Sequence, residues 1–503
     1  MQLRIRDNEY WYGGYVVDGS KMPFGANSDV TINLTENQSP NQLMPLFIST
    51  KGRFIWRDTG YTISFENGVI DVPNDVVVAD GYQNLKGAYL AAKNSHFPFE
   101  NRMPAQELFE SIIYNTWIEL TFYQSQVAIE KYAEDIIRNG MPQGVLMIDD
   151  GWSNYYGDWT FHTGNFPNPK RMVDHLKALG FKVMLWICPF ISADTVKYRE
   201  AVAKDILIKT PEGEPFITKW WNGYSAVLDM TNPNAHQWLK EQMDALQELG
   251  IDGFKFDAGD SIFYRLDNET FHKTTPDGQS NLWAKFGEQY PFNEYRVTFR
   301  AGGYPLLQRL CDKNHSWTRN GIASLIPDTL VQGITGHPFT SPDMIGGGEY
   351  LNFQQLSGNL DPELFVRHAE IACLMPAMQF SAAPYRILDE THFSYVQKSI
   401  SVREEHASYM MKLVQHARET GEPIVRYMSY EFPDAPVEKI IDQFMLGEQF
   451  LVAPIVEKGK TSRKVYLPKG SWEYNNNVYQ SDGEHVEVVT EFGKPAIFKK
   501  LVY

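Results

Sequence analysis

Lys255, Asp257 and Asp260 fall together in the run Ile251-Asp-Gly-Phe-Lys-Phe-Asp-Ala-Gly-Asp260. Side chains alternate along a strand, so Lys255 and Asp257 point the same way. A lysine beside a buried aspartate keeps it ionised, as a carboxylate nucleophile requires. An interior ion pair at a strand end is the other reading of the same triplet. More acids and indoles accompany it: Asp149-Asp150-Gly-Trp152, Trp186, Trp220-Trp221-Asn-Gly, Arg300, Trp317 shortly before Asn320, and Asp343. Carboxylates accept hydrogen bonds from hydroxyls, and indole faces cover the C–H faces of a sugar ring. Taken singly, each Trp reads as core packing and Asp149-Asp150 as a turn or helix cap. What gives them weight together is that most of them follow predicted strands.

Those strands alternate with helices. Tyr114 to Leu120, Val145 to Ile148, Lys182 to Ile187, Gly253 to Phe256, Val297 to Phe299 and Ile334 to Phe339 read as strands. Val127 to Arg138, Arg171 to Leu179 and Ala235 to Leu249 read as helices, each with a glycine just beyond its end. Alternation over this length predicts a parallel sheet closed into a (β/α)8 TIM barrel, at residues 109–419. Short alternating runs broken by Asn, Asp, Gly and Pro predict an N-terminal β-sandwich-like domain at 1–108. The pattern turns β again at 420–503, a predicted C-terminal β-sandwich. The fold class is therefore α/β with flanking β-domains.

The chain has 503 residues and a formal net charge of −16, a size that suits several domains and a charge that opposes nucleic-acid or anionic-membrane binding. The N-terminus lacks the apolar core of a signal peptide, and no apolar run is long enough to span a bilayer. Three widely spaced cysteines, Cys188, Cys311 and Cys373, fit a reducing compartment, so a cytoplasmic location is expected. There is no HExxH, no P-loop and no GxGxxG after a strand, so neither metal nor organic cofactor is expected.

Three longer stretches resemble glycoside hydrolase family 31. Leu228-Asp-Met-Thr-Asn-Pro is similar to its D-F-T-N-P element, Gly336 to Gly347 to its G-x-P-F-x-x-x-D-I-G-G stretch, and Asp442 to Pro454 to the start of its C-terminal β-domain. KFDAGD, WWNG and SLIP…PDMIGG are most similar to a branch of α-galactosidase type. DDGW also resembles the paired-Asp element with which other α-galactosidases of the clan grip the 4- and 6-hydroxyls.

The resemblance implies a retaining, exo-acting α-glycoside hydrolase, with an α-galactoside first and an α-glucoside or α-xyloside as the alternative. Asp257 matches the nucleophile. Arg300 is the match to the arginine ending the fifth strand, with Arg309 as fallback. Asp149, Asp150, Lys255 and Asp343 would bind the sugar, with Trp186, Trp221 and Trp317 walling it. The family's general acid/base is an Asp in a W-x-x-D or W-x-G-D setting, and here Trp317-Thr-Arg-Asn places Asn320 there. An amide has no proton to give at a useful pKa. On this alignment the chain is an inactivated acid/base variant or, alternatively, a sugar-binding pseudoenzyme. The expected partner is an oligosaccharide or other glycoside, with no nucleic acid and no membrane; a homo-oligomer is compatible with the sequence.

Overall fold

The computed structural model describes residues 1–501. Its centre is a closed parallel barrel. The strands are Ile112–Asn115, Gly144–Ile148, Lys182–Ile187, Gly253–Phe256, Phe292–Tyr295, Gln308–Arg309, a seventh in two pieces (Thr340–Ser341 and Met344–Ile345), and Met378–Phe380. The first strand pairs with both the second and the eighth. One piece of the seventh pairs with the sixth and the other with the eighth, which closes the ring. Strands two and four are buried throughout, as expected for a parallel sheet covered by helices.

Helices start where the sequence supplies caps. Ser125, Asn168, Asn232 and Thr275 each accept a first-turn N–H, and Pro169, Pro233 and Pro276 follow the last three. Gly180 and Gly250 follow helix ends with φ of 95° and 107°, a conformation that side chains with a Cβ rarely adopt.

Three predicted strands are displaced. Trp117–Leu120 is a helical turn after a first strand that ends at Asn115. The fifth strand lies at Phe292–Tyr295, not at Val297 to Phe299. Its polar residues are buried but satisfied: Asn293 donates to the carbonyls of Tyr290 and Pro305, and Glu294 accepts from Arg309 and Gln379. That polar content hides a strand from a reading based on apolar runs. Ile334 ends a helix, Leu325–Ile334, that is buried on every side; such a helix shows no polar face and so no helical period.

The N-terminal domain packs two four-stranded antiparallel sheets. The C-terminal domain holds a six-stranded antiparallel sheet and a two-stranded antiparallel sheet of Ser462–Leu467 with Glu484–Val489. A segment of the N-terminal domain, residues 37–42, is tied to the strand ends of the barrel. Gln42 donates to the carbonyls of Arg296 (2.6 Å) and Arg309 (3.0 Å), and Asn41 accepts the N–H of Cys311 at 2.6 Å. No helix among the described residues is long and apolar enough to cross a membrane.

Candidate active site

A cavity of about 490 Å³ opens at the C-terminal ends of the barrel strands, the end of this fold where side chains from several strands converge. Asp257 is the first residue past strand four. Its carboxylate accepts from Arg296 Nε (3.1 Å), Trp186 Nε1 (3.0 Å) and the N–H of Ala258 (2.8 Å). Ala258 and Gly259 both have positive φ, 54° and 72°, and turn the chain sharply away from the strand. Burial raises the pKa of Asp257, but the charges of Arg296, Lys255 and Arg309 and the Trp186 bond outweigh it. The carboxyl is held well below the usual range, so it is ionised.

Arg296 follows strand five and is fixed on all sides. Its guanidinium makes two bonds to Asp260, at 2.9 and 3.2 Å, and one to the carbonyl of Pro40. It lies 5.3 Å from the ring centre of Trp221.

Three further charges form the floor. Lys255 Nζ donates to Asp149 Oδ2 at 2.6 Å, both side chains being nearly inaccessible. The adjacent Asp150 accepts from Asn222 Nδ2 (2.7 Å) and the Tyr156 hydroxyl (3.0 Å). Burial, followed by the charge of Asp149, pushes Asp150 up to about 7 against those bonds.

On the other side, past strand six, Asp312 faces the same cavity with its side chain 37% exposed. Arg309 NH1 donates to it at 2.7 Å and also to Asp343 at 2.7 Å, while Arg309 Nε donates to Glu294. Asp343 sits at the break in strand seven with φ 88° and accepts the N–H groups of Lys313 and Gly348. It thus ties the loop bearing Asp312 to the loop after strand seven. A Cβ on Gly348 would fall 2.5 Å from Met344 Cε, 2.8 Å from Asp343 Oδ1 and 3.1 Å from Asp312 Oδ1, so a larger residue there would crowd this group.

The cavity brings together Asp149, Asp150, Trp186, Trp221, Lys255 and Asp257, as expected from the sequence. Four expected residues lie outside it. Asn320 is exposed at the far end of the loop that Asp312 begins, and its carbonyl accepts the N–H of Asn314. The cavity-lining acid of this loop, Asp312, precedes Trp317, whereas the W-x-x-D pattern points to Asn320, outside the cavity. Arg300 pairs with Asp58 of the N-terminal domain and is partly exposed; the cavity arginine is Arg296, because strand five ends four residues earlier than its apolar pattern suggests. Trp317 donates its indole N–H to Asp361 and does not line the cavity. Asp343 is fully buried and acts on Arg309 and two backbone N–H groups instead.

Arg296, Asp312, Trp117, Asn222 and Tyr350 line the site but were not expected. Arg309, the fallback, is buried behind Asp312. Among the described residues no group of three or more His, Cys, Asp or Glu is arranged to hold a metal ion.

Comparison with known proteins follows the same lines. Residues 106–413 match the glycosyl hydrolases family 31 TIM-barrel domain, and residues 421–500 match the glycosyl hydrolase family 31 C-terminal domain. The chain is 34% identical over 387 residues to the myogenesis-regulating glycosidase of Mus musculus, covering 75% of this chain and 54% of that protein. It is 26% identical over 383 residues to alpha-glucosidase 2 of Bacillus thermoamyloliquefaciens, covering 70% and 47%. The chain thus spans about half the length of these relatives. In fold it is similar to a family 31 dextranase of Flavobacterium johnsoniae complexed with glucose, with TM-score 0.83, 21% identity, and coverage of 99% of this chain and 66% of the other.

Proposed function

The chain belongs to glycosyl hydrolase family 31, and from that premise we propose that it is a retaining, exo-acting α-glycoside hydrolase that prefers α-galactosides. The observation that carries the reading is the pairing of Asp257 and Asp312, two carboxylates on the ends of strands four and six that face one cavity in unlike surroundings. Asp257 is ringed by donors and cations and is only 12% exposed; Asp312, at 37%, is more open to water.

Asp257 attacks the anomeric carbon as the glycosidic C–O bond breaks, and Asp312 gives its proton to the departing oxygen. The product is a glycosyl ester of Asp257. Water then loses a proton to Asp312 and attacks the same carbon, releasing the sugar and restoring both groups. This double displacement retains configuration and works with carboxyl groups ~5–5.5 Å apart. Arg296 and Trp186 hold Asp257 in line and stabilise its charge. On this reading Asp312 supplies the acid, which supports an active enzyme over the pseudoenzyme alternative.

Specificity for galactose rests on Asp149, Asp150 and Lys255 at the cavity floor. Galactose and glucose differ only in the direction of the 4-hydroxyl. A floor of fixed acceptors leaves a buried group unpaired when that hydroxyl points the wrong way, at a cost of about 1–3 kcal/mol per group. That is about tenfold in rate for each 1.4 kcal/mol. The alpha-glucosidase relative favours an α-glucoside as the second reading. Comparing kcat/KM for 4-nitrophenyl α-galactoside and α-glucoside decides between them. A ratio favouring galactose by about tenfold or more is expected, falling when Asp149 or Asp150 is replaced by Asn. A ratio near one, or favouring glucose, would sink the galactoside assignment while leaving the two carboxylates in their roles.

A further inference from the structure

The two ends of the cavity differ in chemistry. The floor is charged, while the mouth is walled by large apolar side chains that face solvent. On one side Trp117, Phe122 and Tyr350 pack edge-to-face on one another, with ring centres 5.0 to 5.8 Å apart. Leu351 extends that wall, 52% exposed, and Phe122 is 44% exposed. These residues come from the loops after strands one and seven. Across the cavity, from the loops after strands three and four, stand Trp221 and Ile262, 50% and 46% exposed, with Trp221 resting on Phe263 at 5.5 Å. All of them line the same cavity as Asp257 and Asp312. A contiguous apolar lining left open to water marks a binding surface.

Two polar side chains at this end, Asn222 and Glu349, each already hold partners within the protein. Asn222 spends its amide N–H groups on Asp150 and Tyr156. Glu349 caps the helix Tyr350–Gln355 by accepting the N–H of Asn352. A second sugar placed here would find its hydroxyls poorly matched, whereas a hydrocarbon group would cover the exposed walls.

We propose that the mouth is an aglycone subsite for an aryl or medium-chain alkyl group, so that the substrate is the α-glycoside of an apolar alcohol and not an oligosaccharide. This rests on the glycoside hydrolase reading above and adds the chemistry of the leaving group to it. Trp117, Phe122, Leu351 and Ile262 are specificity-determining residues for the aglycone; none touches the bond that breaks.

Binding of hydrolysis-resistant 1-thioglycosides, followed by calorimetry, tests it without depending on turnover. Methyl and benzyl 1-thio-α-galactoside form one pair, the corresponding glucosides a second, and a 1-thio-linked α-galactosyl-glucose disaccharide is the sugar aglycone. The benzyl compound should bind about tenfold or more tighter than the methyl compound in whichever sugar series binds. The disaccharide should bind no more than about threefold tighter than the methyl compound. Phe122→Ser should narrow the benzyl-to-methyl ratio to about threefold. Leu351→Asn, at a more exposed position, should narrow it in the same direction and guards against a folding defect in the first variant. A ratio near one, or a disaccharide that binds as tightly as the benzyl compound, overturns the aglycone proposal. Tighter binding of the glucosides with the benzyl ratio intact overturns only the galactose preference. No binding of any of the five overturns both.

Discussion

Replacing Asp312 by Asn separates the proposed mechanism from one centred on Asn320. The amide oxygen of the variant still accepts the 2.7 Å bond from Arg309, and Arg309 keeps Glu294 and Asp343, so the loop should hold its shape. What is lost is the proton. General acid–base catalysis contributes ~10²–10⁴-fold, or about 2.7–5.4 kcal/mol of barrier at 1.36 kcal/mol per decade. The loss should depend on the leaving group. On methyl α-galactoside, whose alkoxide cannot leave unprotonated, kcat/KM should fall by the full factor. On 4-nitrophenyl α-galactoside the first step should fall far less, so a burst of nitrophenol should precede a slow steady state limited by water attack without a base. Asn320→Ala, at an exposed loop position outside the cavity, should change either rate by no more than about twofold, since surface substitutions usually shift stability by no more than about 0.5 kcal/mol. Retention of more than a tenth of methyl-galactoside activity in the Asp312 variant, or a hundredfold loss in the Asn320 variant, would refute the assignment.

Two further outcomes follow from the geometry. Because burial and Asp149 raise the pKa of Asp150 to about 7 in the folded protein, the folded state holds a proton that the unfolded chain releases near pH ~3.9. The stabilisation this gives is fully present below that value and is lost as pH rises through about 7. Asp150→Asn should therefore stabilise the fold more at pH 8 than at pH 5, by on the order of a few kcal/mol; an equal Tm shift at both pH values in thermal melts counts against a strained carboxylate at this site. Gln42→Ala removes both bonds that hold the Arg296 and Arg309 carbonyls, each worth about 0.5–1.5 kcal/mol. It should lower kcat severalfold with a smaller change in KM, and steady-state kinetics showing neither change would make the N-terminal segment a bystander.

The barrel was legible because its strands and helices carry strong periodic and capping signals. Asp257, Lys255 and the Asp149-Asp150 pair stand at the ends of apolar strands, and such ends are easily located. The fifth and sixth strands were not legible, and the expectations placed on Arg300 and Asn320 trace to them. Phe292–Tyr295 buries Asn293 and Glu294, and Gln308–Arg309 has no apolar residue at all. Polar residues inside a barrel are stable only when paired, and their partners, Arg309 and Gln379, come from other strands. One sequence cannot display such pairings. Once strand five was misplaced, Arg300 stood in for Arg296. With strand six unseen, Asp312 had no strand end to mark it, and a short Trp-based pattern led to Asn320. The contributions of Pro40, Asn41 and Gln42 were hidden for a similar reason, since they reach the site from another domain.

The most direct test of the account is to find which residue becomes glycosylated. Incubation with 5-fluoro-α-galactosyl fluoride, which forms the ester quickly and releases it slowly, should add one sugar to the protein. Peptide mass spectrometry should then place that sugar on Asp257, within Gly253-Phe-Lys-Phe-Asp-Ala-Gly-Asp260. Asp257→Ala should remain folded and take up no label. A sugar carried by Asp260, Asp312 or any other residue, or full labelling of the Asp257 variant, would contradict the account.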